Sequence, residues 1–88
     1  MEVYVLVVSW QFDSGECGEY CHVYETIEKA KAAMEHEIKL AKQDFRDAGI
    51  EDVETSGYAA GDCSWSIWEE GEYCYNHEDI NIYCREVE

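Results

Sequence analysis

The chain contains no proline, where average usage of about 5% would supply roughly four, and no Gly/Ser-rich stretch marks a linker. Bases are scarce: six Lys and Arg stand against 21 Asp and Glu, a formal net charge of −15 over 88 residues. Phosphate recognition needs clustered Lys and Arg, so direct nucleic-acid binding is excluded, and an anionic membrane surface is excluded on the same ground. No run approaches the 18 or so apolar residues that cross a bilayer. Catalytic signatures are missing too. No nucleophile sits in a recognisable pattern with a base, and no His-Glu-x-x-His pair occurs. Gly57-Tyr-Ala-Ala-Gly61-Asp62 lacks the lysine of a phosphate loop. His36 lies between Glu35 and Glu37, but helical neighbours do not face one another, which makes it a surface residue. The expectation is a protein that is not an enzyme and needs no cofactor.

What is present fits one small α+β domain spanning residues 1–88. The apolar fraction is 47% and the aromatic fraction 14%, enough for a core despite the charge. At this mass about 64% of the unfolded chain's surface can be buried. Val3 to Trp10 is apolar, but Met1-Glu2 offers no positive charge and no small-residue cleavage site follows, so it reads as a strand and not as a signal sequence. Five cysteines, an odd number, read as reduced thiols in a cytoplasmic setting.

The pattern predicts β-β-α-β-β with room for a fifth strand. Strand one ends at the turn formers Gln11, Asp13, Ser14 and Gly15. Glu19 to Tyr24 pairs back, with Tyr20, His22 and Tyr24 on one side. Thr26 is the expected N-cap of a helix with Glu28 in its first turn and Gly49 just beyond its end. Its apolar positions Ile27, Ala30, Met34, Ile38, Ala41, Phe45 and Ala48 recur every three or four residues, a single stripe. Val53 to Tyr58, Cys63 to Trp68 and the alternation at Ile80, Ile82 and Cys84 supply the later strands. An antiparallel sheet of four to five strands with this amphipathic helix packed on one face satisfies the order.

Charge is unevenly placed. The helical segment holds five acids and five bases, which leaves 16 acids and the single base Arg85 for everything else. Solubility of a small domain needs a net magnitude of only about 2–8. A globule of this length is about 31 Å across, and a duplex that long carries about 18 phosphate charges, close to the −15 here. Acids two apart on a strand, such as Glu70 and Glu72 or Asp52 and Glu54, project on one side about 6.6 Å from each other. The expected binding set is Asp52, Glu54, Trp68, Glu69, Glu70, Glu72, Tyr73, Glu78 and Asp79, acids interleaved with aromatics that can stack on arginine.

Val3-Tyr-Val-Leu-Val7, Glu25-Thr-Ile-Glu-Lys-Ala30 and Trp68-Glu-Glu-Gly-Glu-Tyr73 resemble a loose group of small acidic proteins from phages and mobile elements of gut bacteria. That group includes anti-CRISPR inhibitors, some of them DNA mimics. The resemblance implies an inhibitor that occupies the basic nucleic-acid-binding groove of a bacterial defence nuclease, with a CRISPR effector as the partner. A different class of function is a small zinc- or thiol-dependent structural module. Cys17, Cys21, Cys74 and His77 would be its ligands, since thiolate and imidazole suit tetrahedral zinc.

Overall fold

The computed structural model describes residues 1–12, 15–50, 53–57, 63–69 and 76–87. The order is β1 (Glu2–Gln11), β2 (Cys17–Tyr24), α1 (Ile27–Asp47), β3 (Val53–Gly57), β4 (Ser64–Glu69) and β5 (His77–Glu86). All neighbouring strands run antiparallel in one sheet ordered β2-β1-β5-β4-β3. This is the α+β layout the periodicities require, with the fifth strand present. Val53 to Tyr58 and Cys63 to Trp68 resolve into two paired strands; Tyr58, and Tyr73 to Cys74 beyond β4, lie outside the described residues.

Helix α1 is fixed at both ends by its own sequence. Thr26 is extended, and its hydroxyl accepts the Lys29 N–H at 3.2 Å, satisfying one of the orphan donors of the first turn. At the other end Gly49 has φ +76°. Its N–H donates to the Arg46 carbonyl and the Ile50 N–H to the Phe45 carbonyl, the paired bonds of a Schellman motif. Ile50 is thereby folded back against the core.

The stripe Ala30, Met34, Ile38, Ala41 and Phe45 is buried. It rests on Leu6 and Val8 of β1, Ile80 and Ile82 of β5, and Trp65 and Ile67 of β4. Register explains the match: Leu6 opposes Ile82 and Val8 opposes Ile80, while Trp65 opposes Ile80 on the other side. In a pleated strand alternate residues share a side, so these rows all face the helix. The four described cysteines, Cys17, Cys21, Cys63 and Cys84, are exposed and add nothing to this core. Strand alternation alone would put Cys63 on the side of Trp65 and Ile67. It lies just before β4, where its carbonyl accepts the Ile82 N–H.

The molecule is longer than a sphere of its mass. Its extents are 44 × 26 × 21 Å and its exposed surface is 5910 Å², above the ~5,300 Å² expected for a compact chain of this size. A duplex 44 Å long carries about 26 phosphates, so the protein's charge density along its length is about six-tenths that of DNA. The near-equality expected from a 31 Å globule does not hold.

Ile38 sits at mid-helix and is buried, while its neighbour Lys39 is exposed. Ile38→Ala should therefore cost about 2–5 kcal/mol in a denaturant melt, and Lys39→Ala about 0.5 kcal/mol or less. Equal losses would mean that the stripe is not what holds the helix on the sheet.

Candidate functional site

The two sides of the sheet differ in a way that composition alone does not reveal. On the open side, away from α1, alternation places Val3, Val5 and Val7 of β1 beside Val23 of β2 and Tyr83 of β5, since Val5 opposes both Val23 and Tyr83. Val23 is 62% exposed. Among the described strand residues, the acids on this side are Glu19, Glu54 and Asp79. Asp79 is engaged: it accepts the Ser66 hydroxyl at 2.6 Å and pairs with His77 at 3.2 Å. Arg85 lies over the Tyr83 ring, 5.3 Å from its centre. The open side is a mixed, partly apolar surface and not a row of carboxylates.

Two expected site residues fall on the opposite side. Glu69 is in phase with Trp65 and Ile67, and it accepts the Asn76 side-chain amide. Glu78 is in phase with Ile80 and Ile82 and is buried. The physical reason is the pleat: in a period-two strand ending in Ile80 and Ile82, residue 78 points where they point. Of the remaining set, Glu54 is exposed on β3, Trp68 opposes it on β4 and is 36% exposed, and Asp79 is half-buried. Asp52, Glu70, Glu72 and Tyr73 lie outside the described residues.

The described part of the thiol and imidazole set does not converge. Cys17 opposes Gln11, which opposes His77, so Cys17 and His77 are two strand spacings, about 9–10 Å, apart in backbone. Cys21 lies four residues along β2, about 13 Å from Cys17. Cys74 is outside the described residues. Among the described residues no three Cys, His, Asp or Glu side chains are grouped to hold a metal ion, and no helix is long and apolar enough to cross a membrane.

The acids that do come together flank a groove of about 590 Å³ between the C-terminal half of α1 and the β2-β1-β5 side of the sheet. Its apolar surface comes from Trp10, Phe12, Leu40 and Ile50, and its carboxylates are Glu16, Glu37, Asp44, Asp47 and Glu78. Among the described residues lining it, none is Lys, Arg or His. The helix sums to zero charge, yet the charges of its C-terminal half are sorted. Glu37, Asp44 and Asp47 turn toward this groove, whereas Lys42 and Arg46 line a second groove of about 560 Å³ on the β3-β4 side, over Phe45, Val53 and Ile67. Spacings of seven and three residues place the three acids on one flank of a 3.6-residue helix.

Within the groove the Glu78 carboxyl is close enough to Asp44 and Glu37 to be perturbed by them. Burial, then the charge and hydrogen bond of Asp44, then the charge of Glu37, push the Glu78 carboxyl up to about 7. Tyr20 donates its hydroxyl to Glu37. Burial together with that bond raises its pKa further above the ordinary tyrosine range, so it remains a donor. The Tyr20 ring is tilted 60° against Trp10 at 5.6 Å. Trp10 in turn lies over Gly18, its register partner, where an added Cβ would stand 2.5 Å from the indole.

Trp10, Tyr20, Glu37 and Asp44 were not among the residues expected from sequence. A signal for Glu78 existed in the β5 alternation. One for the helix acids existed in their spacing around Leu40. Nothing local joins either to Trp10. No family model, curated protein or solved structure matches this chain.

Two measurements test this geometry. The unfolded Glu78 carboxyl titrates near 4.3 and the folded one near 7, so the folded state holds a proton that the unfolded state releases between those values. Its contribution makes stability fall as pH rises from about 4.5 to about 7, with the full penalty above that. Glu78→Gln should flatten the pH dependence of the urea midpoint across that window; an unchanged slope would show that Glu78 ionises normally. Gly18→Ala should displace the Trp10 ring, cost about 1–3 kcal/mol and shift the tryptophan emission. Native stability with an unchanged spectrum would disprove the close approach.

Proposed function

We propose that this protein is a binding module without chemistry of its own, and that its partner is a protein surface rich in Lys and Arg that otherwise receives nucleic acid. An antagonist of a bacterial defence nuclease, of the anti-CRISPR kind, is its most concrete form. The observation that supports this most directly is the arrangement of charge. A domain keeps −15 in a fold where Glu37, Asp44 and Asp47 of the helix line one groove and Lys42 and Arg46 the other, so that among the described residues no base lines the acidic groove. Such self-repulsion costs stability, a cost that a basic partner would offset.

The lower charge density than DNA and the mixed open side of the sheet favour local competition for a basic patch over imitation of a whole duplex. Steering of this kind acts on association rate and fades with salt. The test is capture on the immobilised protein from a bacterial lysate, with elution by a salt step and, separately, by duplex DNA. The expected result is retention of nucleic-acid-binding proteins at about 50 mM salt, their release by about 500 mM, and their release by DNA at low salt. Retention that neither salt nor DNA disturbs would refute the proposal.

A further inference from the structure

The groove beside α1 has an apolar floor that the described residues leave uncovered. Leu40 is 44% exposed there, although a helix of this amphipathicity could have placed a polar residue at that position. Phe12 and Ile50 are only partly covered. A purely apolar occupant would have to lie among carboxylates, and a small inorganic cation would leave the aromatic and aliphatic surface unused. The occupant that satisfies both carries positive charge on a planar, weakly hydrated group with a hydrocarbon stem.

Building on the binding-module reading above, we infer that the groove docks an arginine side chain on an extended basic segment of a protein partner. The guanidinium lies against Trp10 and Tyr20, and its N–H groups meet Glu37 and Asp44. Charge complementarity carries the assignment, since among the described residues the groove presents carboxylates without a lining base. Geometry favours arginine over lysine. The guanidinium is planar, stacks on aromatic faces and offers five donors to several carboxylates at once, whereas an ammonium is a compact and strongly hydrated point charge. Tyr20 already holds Glu37 through its hydroxyl, so one rim carboxylate is oriented before anything binds. The methylene stem of the arginine covers Leu40.

The experiment titrates ¹⁵N-labelled protein with a blocked Gly-Arg-Gly-Arg-Gly peptide, its lysine and citrulline counterparts, and spermidine. The indole N–H resonances separate the sides of the molecule, because Trp65 is in the core and Trp68 faces the open side. Binding by the arginine peptide should shift the Trp10 indole and the Tyr20, Glu37 and Asp44 amides while leaving Trp68 in place. The lysine peptide should bind at least threefold more weakly, and the citrulline peptide not at all. Asp44 is exposed, so Asp44→Asn combined with Glu37→Gln should leave the circular dichroism native and raise Kd at least about tenfold, since each lost charge-assisted bond is worth about that factor.

Glu19→Gln on the open side should change nothing. Absence of shifts at millimolar peptide, shifts spread over the open side, equal affinity for spermidine, or indifference to the double variant would each overturn the inference. If the double variant still captures basic proteins in a salt-sensitive way, the groove assignment fails while the binding-module reading stands. If the wild-type protein captures none, that reading fails whatever the peptide does.

Discussion

The antiparallel pairing of β1 with β5 is the constraint from which the rest of the molecule follows. Each strand is ten residues long and they pair along their whole length, from Glu2 opposite Glu86 to Gln11 opposite His77. A slip of one residue would turn Leu6 and Val8 outward and bring Val5 and Val7 in. That alternative is not absurd for β1, whose residues are apolar on both sides. It is excluded on β5, where the inward set Ile80 and Ile82 has only Asn81 and Tyr83 as its competitor. The polar alternation of one strand thus fixes the phase of the ambiguous one, and β2 and β4 inherit that phase across their own ladders.

One consequence is that Glu78 must enter the helix side. The phase that buries Ile80 and Ile82 carries Glu78 in with them and sets Trp10 directly opposite it. Burying a charge costs free energy unless it is paired or neutralised. Here no base among the described residues lines the groove, so the group moves toward its neutral form and shares a hydrogen bond with Asp44. The inward glutamate is a local conflict with the pattern of its strand, the kind of inconsistency that sequences retain at functional sites.

The helix was legible from residue types alone. Its apolar spacing, the Thr26 cap and the Gly49 stop are local features, and each does in the fold what its chemistry requires. Strand order was less legible, because placing β5 between β1 and β4 depends on which long-range ladders form. The candidate site was least legible. Counting acids located an excess outside the helix, but it treated a neutral helix as inert. Neutrality of the sum hides that Glu37, Asp44 and Asp47 face one flank and Lys42 and Arg46 the other. The groove also needs Trp10 from β1 and Tyr20 from β2, and no spacing within one element connects them to residue 44.

The two surfaces left by this fold differ in chemistry. The open side of the sheet is broad, carries a band of valines beside a stacked Arg85 and Tyr83, and has its acidic Asp79 already engaged with Ser66 and His77. The groove is narrower, concave and negative. An added positive charge there meets carboxylates held close by a buried ladder and a capped helix, so little ordering remains to be done when it arrives. Preorganisation of that kind lowers the entropic cost of binding. For a chain that repels itself, a cation lodged between Glu37 and Asp44 would also relieve part of the repulsion that Glu78 relieves by holding a proton up to about pH 7.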